Sequence, residues 1–208
     1  MQQGIDESVS KVVSFFSNNF NSYETVTQRL PYNHMGATIT DAILQAGMNY
    51  KNVVYPRILN ILTKYPCYTT TCDFIILFQT IPIEEITNWR NKKKLQLICD
   101  LSWNFFDKGV NNERQLSEWL NYSDNTDELL KITGIGYKTI DYLKLLSGCQ
   151  VIPIDRHMFQ FLKIAGVCVK TYKEASEILK RVANILDIKE SIVDFQIWSY
   201  MANRSIVK

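Results

Sequence analysis

Two residues are of types that could do covalent chemistry on a sugar, Lys138 and Asp155. Lys138 stands two positions after Gly136 in Thr133-Gly-Ile-Gly-Tyr-Lys-Thr139, where a helical pattern begins. In its amine form a lysine is a nucleophile able to form a Schiff base with a sugar aldehyde. Asp155 follows the short apolar run Val151-Ile-Pro-Ile154 and opens another helix. A carboxylate there can stabilise an oxocarbenium-like sugar, as carboxylates do in glycoside hydrolysis. It can equally cap the helix, and the two roles are compatible.

Gly134 and Gly136 make a Gly-x-Gly turn between two short helical patterns. Glycines there open backbone conformations closed to other residues and clear side chains from the next helix's N-terminus. Backbone N–H groups can then face an anion, and a DNA phosphate is the natural fit. A plain turn with a glycine C-cap accounts for the same two glycines. Local charge agrees with the anion reading. From Lys131 to Lys163 the net charge is +3, against +2 for the whole chain, although any one of these lysines also suits a solvated helix face.

Taken together, Thr-Gly-Ile-Gly-Tyr-Lys-Thr139 and Ile-Asp-Arg-His157, with the aspartate 17 residues after the lysine, resemble the helix-hairpin-helix DNA glycosylase superfamily, which includes endonuclease III. The resemblance implies a base-excision repair enzyme that removes a damaged base and cleaves the abasic site by β-elimination. Lys138 and Asp155 match the catalytic lysine and aspartate, Gly134 and Gly136 the hairpin glycines, and His157 the histidine two residues beyond the aspartate. Tyr137, Thr139 and Arg156 are candidate DNA contacts beside them. Leu44-Gln-Ala-Gly-Met48 looks like the helix end and loop that carry a DNA-inserting residue, and Met48, Asn49 or Tyr50 stand where that residue would be. Asn91-Lys-Lys-Lys94 opens what looks like the family's lysine-bearing helix upstream of the hairpin.

The departures are specific. Thr133 replaces a proline, Ile140 a small alanine, and Arg156 a threonine that would adjoin the aspartate. Arg156 can touch DNA or pair with Asp155. After Asp155 only Cys168 remains, so the four-cysteine iron–sulfur motif of endonuclease III is absent, and the resemblance implies no metal or organic cofactor. The implied partner is double-stranded DNA with a damaged base or an abasic site, bound by a monomer in the cytoplasm, or at the nucleoid in a prokaryote, with no role for a membrane. Two other readings stay open: a monofunctional glycosylase in which Asp155 activates water, and a non-catalytic helix-hairpin-helix DNA-binding protein. All of them expect binding that weakens with salt.

The elements that must position these residues are helical throughout. Ile5, Val9, Val12, Val13, Phe16 and Phe20 line one face of a first helix. Further helices are expected over 40–45, 53–62, 73–78, 84–89, 92–106 and 114–120, the short apolar run 73–78 also suiting a strand. Residues 121–127 form the most polar loop, and the hairpin begins at Asp127. Tyr137 to Leu146 is helical and Gly148 stops it. Asp155 caps a helix to about Ala165, Thr171-Tyr-Lys-Glu174 is a capping box, and Val193, Ile197, Tyr200 and Met201 stripe the last helix. No strand pairs or Asn-Gly hairpins appear. The expected fold is all-α, of about ten helices. The resemblance implies two lobes, a six-helix bundle over 28–148 and a second lobe from 1–27 and 149–208, with Lys138 and Asp155 facing across the cleft.

Composition bounds the rest. The 208 residues are 46% hydrophobic and 21% charged, which excludes a disordered chain and supplies material for one large domain or two small ones. No apolar run reaches the ~18–20 residues that span a bilayer, and the acidic start with Asp6 and Glu7 does not suit a signal peptide. The five cysteines are an odd, irregularly spaced set, as expected of free thiols in a reducing compartment. Cys67 and Cys72, with only His34 and His157 besides, fall short of a zinc site. His34 suits a turn or core position. Trp89, Trp103, Trp119 and Trp198 fall at core spacings, with one aromatic free to line a base pocket.

Overall fold

The structure is a computed structural model. It describes residues 2–20 and 30–206, with side chains over 4–20 and 30–201. Among the described residues the fold is all-α, with twelve α-helices, one π-helical turn and no strand. The chain divides into two compact units, Met1–Gln28 with Gln150–Lys208, and Arg29–Cys149. The lobe boundary expected at 27/28 lies outside the described residues.

The first unit holds α1 (Gln2–Asn19), α10 (Arg156–Ile164), α11 (Tyr172–Ile185) and α12 (Glu190–Ile206). Val9, Val12 and Phe16 of α1 recur at helical spacing, are buried, and share a core with Phe161, Ile178, Val182 and Ile197. Phe15, Phe16, Phe20, Phe161 and Tyr200 add a mostly edge-to-face aromatic cluster, in which Phe16–Phe20 is tilted and Phe20–Phe161 stacked, with Phe15 and Phe161 centroids 5.4 Å apart. An Arg181–Asp6 ion pair of 2.5 Å ties α11 to α1. Thr171 caps α11 by accepting from the Glu174 N–H, but the Glu174 carboxylate accepts from Lys170 rather than from the cap residue's own N–H. The expected capping box is therefore not closed as its sequence suggests. A reciprocal box does form at Thr70 and Asp73.

The second unit holds α2 (Met35–Leu44), the π-helical turn Tyr50–Val54, α3 (Tyr55–Lys64), α4 (Thr71–Thr80), α5 (Ile83–Thr87), α6 (Lys92–Asp107), α7 (Glu113–Leu120), α8 (Ser123–Leu129) and α9 (Tyr137–Leu146). Its centre is α2, all ten of whose residues are buried against α3, α4, α6 and α9. A helix enclosed on every side shows no polar face. That is why the sequence pattern places its start at Thr40, five residues late. The cap is also atypical, since the His34 ring Nδ1 accepts from the Ala37 N–H. His34 Nε2 lies 3.1 Å from the Tyr65 carbonyl, and the buried Glu113 carboxylate accepts from the His34 N–H and the Thr38 hydroxyl, both at 2.8 Å. Burial holds His34 below its ordinary pKa. Gly36 lets α2 meet α4 closely, since a Cβ there would lie 2.7 Å from two Phe74 ring carbons.

Other boundaries differ from expectation for physical reasons. The helix expected over 53–62 is a π-helical turn followed by α3 to Lys64. The polar stretch 121–127 is largely helix. α8 keeps its polar residues outward, bonds Thr126 Oγ1 to the Ser123 carbonyl at 2.7 Å, and buries Leu129. One apolar anchor is too little to give a periodic signal. Two of the four tryptophans are not core. Trp103 and Trp198 are 39% and 51% exposed, whereas Trp119 packs on Phe105 and Trp89 sits under the Arg57 guanidinium, 4.6 Å from its ring centroid. Trp89 also lies in the turn after α5 rather than on a helix.

Candidate functional site

The hairpin is built from α8, the turn 130–136 and α9. Backbone bonds close the turn one after another, Lys131 N–H to Glu128, Ile132 to Leu129, and Ile135 to Ile132, at 3.0–3.1 Å. Gly134 has φ +99, and a Cβ there would lie 3.1 Å from Leu97 Cδ2 of α6. The positive φ favours glycine, and a Cβ would require the Leu97 side chain to give way by a few tenths of an ångström; the turn is seated this closely on α6. Gly136 is different. It is the N-cap of α9 in extended backbone, with open space around it and no side-chain cap. The absence of a side chain leaves the start of α9 bare, which is what an anion-facing helix terminus needs.

Lys138 is the second residue of α9 and is half-buried. Its Nζ lies 5.5 Å from the ring centroid of Tyr142, one turn on. Tyr137 is 38% exposed beside it. Thr139 is 4% exposed, turned into the bundle with Ile140, so its side chain is withdrawn from the surface. Ile140, the bulky departure, is simply buried.

In the other unit, Val151 to Ile154 is a buried extended segment, held where the Ile154 N–H donates to the Tyr172 hydroxyl at 3.0 Å. It delivers Asp155 to the start of α10. Asp155 Oδ1 accepts from the His157 N–H at 2.7 Å and the Met158 N–H at 3.2 Å. Oδ2 takes no bond among the described residues, so capping leaves one carboxylate oxygen uncommitted. Arg156 is exposed and forms no ion pair with Asp155. His157 is half-buried, and its buried Nδ1 has no partner.

The sequence reading missed Asp194 of α12. Burial of its carboxyl pushes its pKa up to about 7, and the charge of Asp155 acts in the same direction. A signal was available, because Asp194 falls three residues before Ile197 and seven before Met201, inside the apolar stripe. Lys94 was read only as one lysine of the helix that opens at Asn91, although its register, four before Ile98 and seven before Leu101, points it inward. Its Nζ donates to the carbonyls of Ile43 at 3.0 Å, Leu44 at 3.3 Å and Ala46 at 2.8 Å.

Of the candidate inserting residues, Asn49 caps the π-helical turn by accepting from the Asn52 N–H at 2.9 Å. Tyr50 is half-buried, its hydroxyl 3.2 Å from that of Tyr32. Met48 is 36% exposed. All five cysteines are free thiols. Among the described residues no group of three or more His, Cys, Asp or Glu could hold a metal ion, and no helix is long and apolar enough to cross a membrane.

The fold thus defines an all-α protein of two units, with a glycine-turned helical hairpin in one and an aspartate-capped helix in the other. The chain belongs to the family described as a domain of unknown function (DUF8548), whose model matches residues 84–202. That span runs from α5 into α12 and includes the hairpin, Lys138, Asp155 and Asp194. No curated protein and no solved structure matches the chain.

Proposed function

We propose that the protein is a base-excision DNA glycosylase with abasic-site lyase activity. One observation carries this reading: the segment with the glycosylase-like spacing puts an amine in the first turn of a helix that has no side-chain cap, and a carboxylate with one uncommitted oxygen at the start of another. In the proposed reaction the hairpin holds backbone phosphate and the target nucleotide leaves the stack. The Lys138 amine attacks the sugar C1′. A C–N bond forms as the glycosidic C1′–N bond breaks, and that electron pair leaves with the base. Asp155 stabilises the positive charge that develops on the sugar and receives the proton released from the amine. Asp155 passes that proton to O4′ as the C1′–O4′ bond breaks and the protonated Schiff base forms; the expelled base anion takes the proton that C2′ gives up, and the C3′–O bond breaks with its electrons on the departing phosphate.

A second reading has its own support. Lys138 Nζ over the Tyr142 ring is an arrangement suited to an ammonium. An ammonium would bind phosphate and leave Asp155 to activate water.

Borohydride trapping on a duplex with one abasic site separates the two, and that substrate bypasses the identity of the damaged base. The lyase reading expects a covalent complex that disappears in Lys138→Ala. Demonstrated binding without a trapped wild-type complex, or trapping that survives Lys138→Ala, overturns it.

A further inference from the structure

One face of α6 is open along the length of the helix. α4 meets α6 where Phe78 faces Trp103, their ring centroids 6.4 Å apart, and the hairpin turn approaches α6 at Leu97. Between these contacts Lys92, Lys93 and Gln96 are exposed in the first half of the helix, and Asp100, Trp103, Phe106 and Asp107 in the second. The two aromatic side chains are braced. Trp103 stands edge-on to Phe78 and to Phe106, the latter at 5.8 Å, and Phe78 stands edge-on to the fully buried Phe74. Rings held back against the core in this way lose little freedom on docking. Lys92, Lys93 and Asp107 form no ion pair among the described residues.

The spacing of these residues selects the occupant. They are symmetric about the point midway between residues 99 and 100. Lys92 and Lys93 lie as far before that point as Asp107 and Phe106 lie after it, and Gln96 mirrors Trp103. The two ends also carry complementary chemistry, cations at one and a carboxylate with an aromatic ring at the other. A second copy of α6 laid antiparallel brings Lys93 to the other copy's Asp107, Lys92 to the face of its Phe106, and Gln96 to its Trp103. A twofold axis makes every one of these contacts twice. A nucleic acid on this face would meet Asp100 and Asp107, and a basic peptide would meet Lys92 and Lys93. The same helix reversed answers both ends.

We infer that the exposed face of α6 is a self-association surface, on which two copies of this chain pair antiparallel with the axis beside residues 99 and 100. This departs from the monomer that the sequence led us to expect. From Lys92 to Asp107 the face is about 22 Å long and about 10 Å across. That is less than the ~800 Å² per partner of a standard interface, so the dimer is weak and forms only as concentration rises. Asp100 is the one unfavourable element. It lies next to the axis, where it approaches its own copy, and its carboxylate accepts from Gln96 Nε2 at 2.8 Å. Like charges there oppose the pairing, which gives the arrangement a signed test.

The test is sedimentation velocity on the full chain, without DNA, over a concentration series reaching several hundred micromolar. It compares wild type, Trp103→Ala, Asp100→Asn, Lys93→Asp, Asp107→Lys and the Lys93→Asp/Asp107→Lys double variant. The wild type should show a monomer–dimer equilibrium with a Kd of about 10–100 µM. Trp103→Ala should weaken it by more than about tenfold. Each charge reversal should weaken it by about tenfold, because two symmetry-related ion pairs become repulsive. The double variant should restore it, because the same pairs form with their signs exchanged. Asp100→Asn should tighten it by about threefold. The charge variants alter only exposed side chains, so they report even if Trp103→Ala packs poorly. A wild type that stays monomeric throughout the series overturns the inference. So does a dimer that Trp103→Ala and the single reversals leave unchanged, or one in which the double variant rescues neither reversal. With no DNA present, none of these outcomes bears on the proposed activity.

Discussion

Replacing Asp194 with asparagine should change how stability depends on pH, and the direction follows from its surroundings. The Asp194 pKa rises from 3.8 to about 7 in the folded chain, chiefly through burial. The folded state therefore holds this proton over a range where the unfolded state has released it. Between pH 4 and pH 7 the native protein binds more protons than the unfolded one, so stability falls as pH rises. A difference of about three pH units corresponds to roughly 4 kcal/mol, fully developed above pH 7 and absent below pH 4. Asparagine does not titrate. Relative to Asp194→Asn, the wild type should lose stability by up to about 1.4 kcal/mol per pH unit across that window. Urea unfolding at several pH values, followed by tryptophan fluorescence, measures it. Trp198 is on the same helix as Asp194, whereas Trp89, Trp103 and Trp119 belong to the other unit. The relevant transition is the one that a Trp198→Phe control removes. Parallel curves for wild type and variant from pH 4 to pH 8 would refute the reasoning, because Asp194 would then be titrating as an exposed acid.

Two further outcomes follow from the second unit. His34, whose pKa burial lowers, should make that unit lose stability as pH falls below about 6.5, because the unfolded chain then gains a proton that the folded one resists. The acid limb should flatten in His34→Gln, and a limb that persists there would count against the cap network. Gly134→Ala should cost about 1–2 kcal/mol from its positive φ and the approach of Leu97. Gly136→Ala, in extended backbone and open space, should change stability by less than about 0.5 kcal/mol. Thermal melts of the two variants check the contrast, and equal effects would mean that the glycines do not differ as described.

The sequence by itself determined the local layer of this protein. The stretch Tyr137–Leu146 is one helix, bounded by a bare glycine before it and a glycine soon after. Asp155 and Thr171 cap the helices that their side chains suit. These features depend on neighbours within a turn of the chain, where side-chain chemistry and backbone geometry are coupled directly. The all-α class follows from the same periodicity. Where periodicity was weak or absent, local reading lost the boundary, as in the enclosed α2 and the polar α8.

Burial was decided only by tertiary structure. Lys94 sits in a run of three lysines; its register with Ile98 and Leu101 is legible in the sequence, but its partners, carbonyls some 50 residues earlier, are not. Glu113 reaches His34 across 79 residues. Asp194 becomes an unusual acid chiefly because its carboxyl is buried where α12 packs against α10, with the charge of Asp155 adding to the effect. A charged side chain's properties depend on which surfaces exclude water from it, and those surfaces come from parts of the chain that no local window contains.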